Sequence, residues 1–170
     1  MEVYDAVCTV LAVRSYQDKP VPPDAVRRIV EAGWSTGSSM NLQPWHFVVV
    51  EERETLRKLG ELAKTGPYIV QAPLAIVVAI KESRYAVSDA SRAIQSMMLT
   101  AWAEGIGSNW VGFFGLEAVK PLLGIPADLD VLAILPFGYP AQAVGQGIKN
   151  RKSLDEVASK EQFGQPYIQE

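Results

Sequence analysis

The stretch Gly37-Ser38-Ser39-Met40-Asn41-Leu42-Gln43-Pro44-Trp45-His46-Phe47 gathers short polar side chains in a turn-rich loop, directly ahead of the β-branched run Phe47 to Val50. Serine hydroxyls and Asn or Gln amides can both donate and accept hydrogen bonds. Held between a helix and a strand, such a loop can present partners to the polar edge of a ligand. Basic clusters lie near the two ends of the chain, at Arg14-Ser15-Tyr16-Gln17 and at Lys149-Asn150-Arg151-Lys152. Neutral hydrogen-bonders between two cationic ends suit a ligand with a flat polar head and an anionic tail. A phosphate would draw on Arg14, Lys149 and Arg151, each charge-assisted bond contributing roughly 1.5–3 kcal/mol. Those cations can act together only if the fold joins both ends of the chain. The plainer alternative is three solvated charges, and a loop whose short side chains bond their own backbone.

Other reactive groups are sparse. His46 is the single histidine and lies at the entry to a strand, where a structural role is expected. No Ser-His-Asp set, carboxylate pair or activated thiol stands out. Cys8 is the single cysteine, which excludes an internal disulfide framework and a Cys-rich metal site. It sits in an apolar helical stretch and is expected to be buried and inert. Neither G-x-G-x-x-G nor a Walker loop occurs, so a nucleotide would have to be held without those devices.

The bulk composition narrows the class further. A chain of 170 residues with 48% hydrophobic and 21% charged side chains fits one globular domain with a core of its own. A net charge of −3 argues against a nucleic-acid binder. Leu74 to Ile80 is the longest apolar run, far short of the about 20 residues of a membrane helix. Met1 to Asp5 lacks a signal-peptide pattern. A lone cysteine is compatible with a reducing cytoplasm, the expected location.

Periodicity supplies the elements that would position these residues. Tyr4 to Val13 reads as a first helix. Asp24 is the expected N-cap of a second, whose Val26, Ile29, Val30, Gly33 and Trp34 recur at helical spacing. Phe47 to Val50 reads as a strand, Glu52 to Lys64 as a charged helix and Leu74 to Ile80 as a strand buried on both faces. Asp89 to Glu104 is the longest helix and is apolar around most of its girth. Ser108 to Phe114 is extended or loop, Glu117 to Leu123 a short helix, Val131 to Leu135 a third buried strand and Ser153 to Ser159 a brief helix. The whole is an α+β unit without internal repeats.

Ser-Ser-x-Asn-x-Gln-Pro-Trp at Ser38 to Trp45, preceded by Arg14-Ser15 and a helix and followed by a late Lys-x-Arg at Lys149 to Arg151, resembles the nitroreductase family of flavin mononucleotide (FMN) enzymes. The likeness runs from about Tyr4 to about Val157. It implies a nitroreductase-like α+β fold, with a central, mostly antiparallel sheet flanked by helices, in an intertwined homodimer. Residues 1–170 would be one domain, with a core of about 4–158 and a polar tail of 159–170.

The resemblance also implies a site. Arg14, Ser15, Gln17, Lys149 and Arg151 of one subunit would bind FMN, joined by Ser38, Ser39 and Asn41 from the other. Trp110, Val111 and Gly112 would carry the backbone past the reactive N5 edge, with Gly112 and Phe113 tuning it and no side chain acting as catalyst. NADH or NADPH would serve as reductant in a ping-pong cycle, with nitroaromatics, quinones or activated alkenes as acceptors. Gln17 is a departure, because the family usually carries Arg or Lys there. A neutral amide leaves the charge of a reduced flavin less compensated, unless Lys64 or Arg84 fills the gap. Alternatives are a non-catalytic flavin sensor, a relative with dehalogenating or flavin-fragmenting chemistry, and a flavin-free interaction protein. The short span between Leu62 and Asp89 leaves little room for the lid that the second would need, with only a turn near Gly66 to Tyr68 as cover.

Overall fold

Leu74–Lys81 is the axis of the fold, and only its last residue reaches solvent. A computed structural model of the chain describes residues 1–112, 115–144 and 149–167. In chain order the elements are α1 (Val3–Thr9), α2 (Pro23–Trp34), β1 (Trp45–Val50), α3 (Arg53–Leu62), β2 (Leu74–Lys81), α4 (Ala86–Ala103), β3 (Gly107–Ser108), β4 (Val111–Gly112), α5 (Val119–Leu123), β5 (Leu129–Gly138) and α6 (Leu154–Val157). Among the described residues, β1, β2, β5 and β3 line up in that order in one sheet, and β4 pairs beside β3 along β5. Every one of these strand pairs is antiparallel.

Side chains alternate across β2 and feed two cores. Leu74, Ile76, Val78 and Ile80 pack with α2 and α4, through Ile29, Ile94 and Met97. Ala75, Val77 and Ala79 face the other way, toward Leu56 and Leu59 of α3 and Val119 of α5. This two-sided burial explains an apolar run without polar alternation. The β2–β5 register slips between Val78 and Ala79, which pair with Ala133 and Val131 and leave Leu132 without an opposite residue. Leu132 and Ala133 consequently both pack on the α2–α4 side.

Several boundaries differ from expectation. α1 ends at Thr9 rather than Val13, because Ala12 bridges to Ser108 and the Val13 N–H donates to the Ser108 carbonyl at 2.9 Å. Asp24 is not the N-cap of α2. Pro22 holds that position, and Pro23 opens the helix where its missing N–H costs nothing. Asp24 lies in the first turn, where its charge still suits the helix dipole. α4 begins at Ala86, one turn before Asp89. β5 extends at both ends, and α6 is only one turn long, closed by a Ser153–Glu156 capping box. Cys8 is exposed on this chain, since α1 buries only Ala6.

Candidate functional site

The segment 12–17 is stitched into the fold from both sides. Beyond the β3 contacts, Tyr16 bridges to Pro140, the Gln17 N–H donates to the Tyr139 carbonyl at 2.8 Å and the Ala141 N–H to the Ser15 carbonyl at 3.0 Å. Gly107 permits the approach, because a Cβ there would lie 2.4 Å from Val13 Cγ2. Tyr16 is the peg of this seam. Its buried hydroxyl donates to the Val13 carbonyl at 2.6 Å, with the Pro136 carbonyl at 3.3 Å, and burial pushes its phenol well above the ordinary range. The result is a cleft of about 310 Å³ lined by Ala12 to Ser15, Pro140 and Gln142 to Val144. Arg14 and Ser15 are exposed there, and Arg14 makes no ion pair among the described residues.

The late basic cluster returns to the N-terminal helix. Lys149 donates to the Val7 carbonyl of α1 at 2.7 Å, while Arg151 donates to its neighbour Asn150 at 3.2 Å. Residues far apart in sequence are thus joined, although no described contact puts Arg151 against Arg14. Gln17 spends its side-chain donor within the protein, its Nε2 reaching the Pro140 carbonyl at 2.8 Å. Arg84 lies over the ring of Tyr85, 5.4 Å from its centroid, and Lys19 lies over the ring of Tyr139, 3.9 Å from its centroid.

The Ser38–Gln43 loop contains a 3-10 turn, Ser39–Asn41, and three non-glycine residues with left-handed backbone: Met40 (φ 52°), Asn41 (φ 55°) and Gln43 (φ 47°). Such conformations are uncommon outside glycine and need the surroundings to hold them. Ser39 supplies that hold, with its N–H and its hydroxyl each 3.0 Å from a carboxylate oxygen of Asp89. The Gln43 N–H donates to Ser38 Oγ at 2.9 Å, and Gln43 Nε2 to Asn41 Oδ1 at 3.1 Å. Asp89 also meets the Arg92 guanidinium. Burial pushes the Asp89 carboxyl up, but the Ser39 N–H, the Ser39 hydroxyl and Arg92 together hold it below its ordinary value.

At the third predicted segment, Trp110 is half-buried and lines a larger apolar cleft of about 600 Å³ with Val87, Ser91, Leu116 and Leu132. Val111 points into the α3-side core and is fully enclosed. Gly112 is crowded: a Cβ there would lie 2.7 Å from Trp110 Nε1 and 3.0 Å from the Leu132 carbonyl. Phe113 lies outside the described residues. Asn109, next to this segment, donates from Nδ2 to the Tyr68 hydroxyl, linking it to the short turn Pro67–Gln71.

Sequence reasoning missed Asp89 and Asn109. The signal for Asp89 was present. It is an acid inside the buried stripe Ala86, Ala90, Ala93, Ile94 and Met97, where an unpaired carboxylate would be costly.

This arrangement of sheet, helices and loops matches a known class. The profile of the Nitroreductase family matches residues 12–81 and 65–139. A protein of Methanothermobacter thermautotrophicus, named provisionally as an NADH dehydrogenase/NAD(P)H nitroreductase, is 34% identical over 154 residues, spanning 85% of this chain and 81% of its own. The FMN reductase [NAD(P)H] of Bacillus subtilis is 27% identical over 165 residues, covering 82% of this chain and 66% of its own. Among solved structures, one from Bacteroides thetaiotaomicron with the same provisional name as the first relative superposes with a TM-score of 0.86 at 28% identity, covering 95% of this chain and 98% of that one. The chain belongs to the nitroreductase family. Its mostly antiparallel sheet with flanking helices is the nitroreductase-like fold expected from Ser38 to Trp45.

Proposed function

We propose that this protein is an FMN-dependent oxidoreductase that takes its electrons from NADH or NADPH and reduces a flat, electron-poor small molecule. The observation that carries the proposal is the 310 Å³ cleft, where Arg14 and Ser15 stand open between the two joined ends of the chain. The residues there fit the phosphate end of FMN, which calls for a guanidinium and a hydroxyl with fixed backbone geometry. Arg14 would bind that phosphate and Ser15 would orient it. Lys149, held on α1, and Arg151 would add positive potential to that phosphate. The Ser38–Gln43 loop would serve the flavin of the partner subunit, so that a homodimer has two shared sites. The Trp110–Gly112 strand would pass the flavin's reactive edge, and the crowding around Gly112 keeps that backbone in place.

Bound there, FMN would supply the redox chemistry, hydride acceptance from the nicotinamide and electron delivery to the acceptor. The protein's part is to position both partners in turn at one place, which is a ping-pong cycle. Nitroaromatics, quinones and activated alkenes have the right electronic character.

The test is an absorption spectrum of the purified protein, followed by anaerobic addition of NADH or NADPH. Flavin bands that bleach, and return with an acceptor, are the expected result. A preparation that stays colourless after FMN is added would sink the proposal. Bands that persist with both donors would point to a flavin sensor. Arg14→Ala is expected to raise the dissociation constant for FMN about tenfold or more, the loss of one charge-assisted contact, as read by flavin fluorescence on titration.

A further inference from the structure

The Ser38–Gln43 loop carries two hydroxyls and two amides, and its hydrogen bonds sort them into anchors and free donors. A carboxylate has no proton to give, so where Asp89 meets Ser39 Oγ at 3.0 Å the serine must donate. The second carboxylate oxygen takes the Ser39 N–H at 3.0 Å. Both Ser39 donors are spent on a side chain that is fully buried in α4. Ser38 is in the opposite condition. Its Oγ accepts the Gln43 N–H at 2.9 Å, which fixes the oxygen and leaves the hydroxyl proton to be given elsewhere. Asn41 behaves the same way: its carbonyl oxygens, side-chain and backbone, receive Gln43 Nε2 at 3.1 and 3.3 Å, and its own Nδ2 donors are left over.

We propose that Asp89 is the positioning residue of this loop, that Ser39 is its anchor, and that Ser38 and Asn41 are the two groups that touch the ligand, both as donors. The loop therefore reads an edge of hydrogen-bond acceptors, such as the carbonyl edge of a flavin ring. This rests on the FMN reading above, and it reverses the equal weight that Ser38 and Ser39 carry in the family string. The left-handed backbone of Met40, Asn41 and Gln43 is the reason an anchor is needed. The bonds within the loop close it on itself, and the bonds to Asp89 tie it to α4, which helps to hold those three residues in a region that side chains disfavour. Arg92 supports the anchor from the next turn of α4, where it pairs with Asp89.

The experiment compares FMN binding to the apo-dimer of wild type, Ser38→Ala, Ser39→Ala, Ser39→Thr and Asp89→Asn, with amide exchange across 38–43 measured on the same samples. Ser38→Ala is expected to weaken FMN about tenfold while leaving exchange at Ser39 unchanged, only the Gln43 N–H, which loses its acceptor, exchanging faster. Asp89→Asn and Ser39→Ala are expected to weaken it by a similar factor and to speed exchange at Ser39 and Gln43. Their double variant should be no worse than the weaker single, because both act on the same Ser39–Asp89 pair. Ser39→Thr keeps the hydroxyl and should bind FMN within about threefold of wild type. If Asp89→Asn does not fold, Ser39→Ala carries the test, since it leaves Asp89 paired with Arg92. Wild-type affinity in Ser38→Ala overturns the assignment of the donor, and wild-type affinity and exchange in Ser39→Ala overturn the anchor. A wild-type protein that binds no FMN overturns the functional reading itself and this inference with it, an outcome distinct from variants that bind like wild type.

Discussion

Gln17 shows how one uncharged side chain can set a property of the site. Its Nε2 is committed to the Pro140 carbonyl, so it helps to seal the seam beside the cleft. If FMN binds as proposed, an arginine there would bring a charge that the amide lacks to the edge where negative charge gathers on a reduced flavin. Gln17→Arg is expected to raise the reduction potential of bound FMN. A spectroelectrochemical titration that finds the same potential in both proteins would show that other groups already compensate that charge. Legibility differs from residue to residue. Ser38, Asn41 and Arg14 stand out in the sequence because the strings that hold them resemble the family's pattern; by type alone they would pass for ordinary surface residues. Asp89 was hidden because periodicity treats any residue in a buried stripe as packing, and the partner that satisfies it is 50 positions away.

Among the elements, α2, α3, β1 and β2 followed their periodicity, since each has one dominant environment along its length. The elements that escaped were those made by others. Ala12 and Val13 continue an apolar helical pattern but are taken over by β3. β3 and β4 are two residues each, too short to leave a pattern. β5 contains Pro136, which usually marks a strand's edge or end, yet the strand runs on to Gly138. Helix α3 offers a pH test of element stability. Glu52 caps it by accepting from the Glu54 and Thr55 N–H groups. The Arg57 hydrogen bond lowers the Glu54 carboxyl from 4.5 to about 2. A carboxyl lowered on folding stabilises the fold above its unfolded value and stops doing so as the pH falls through its folded one. The melting temperature should therefore drop between pH 4.5 and about 2, and Arg57→Gln should make that drop smaller. Both groups are half-exposed, so 0.5 M salt should blunt the difference, roughly as screening over a few ångströms requires. An identical pH profile in the two proteins would mean that this pair contributes nothing.

For the whole molecule, the apolar side chains left in solvent are the guide. Val3, Tyr4, Val7, Trp34, Met40 and Val87 are all exposed, and Met40 belongs to the loop proposed to serve the partner's flavin. Single exposed hydrophobics need no explanation, so the question is whether these lie in the proposed subunit interface. If the proposed homodimer forms through these faces, Trp34→Glu is expected to shift it toward monomer in sedimentation velocity and to weaken FMN binding in parallel. Loss of the dimer with FMN affinity unchanged would mean that each chain holds a complete site.

The slip opposite Val78 and Ala79 also has a meaning for how such a chain is conserved and altered. Without Leu132, Val131 and Ala133 would alternate regularly across the sheet, each still on its present side. The architecture would thus be satisfied by a strand one residue shorter. What the surplus residue does is bring its carbonyl against Gly112. It is an insertion that serves the neighbouring strand rather than its own. Deleting Leu132 should leave a folded protein with a near-native circular dichroism spectrum and a displaced β4. The measurable cost would fall on turnover with NADH or NADPH. Collapse of the fold on that deletion would instead make the slip part of the scaffold, and lineages would then be free to vary β4 but never the length of β5.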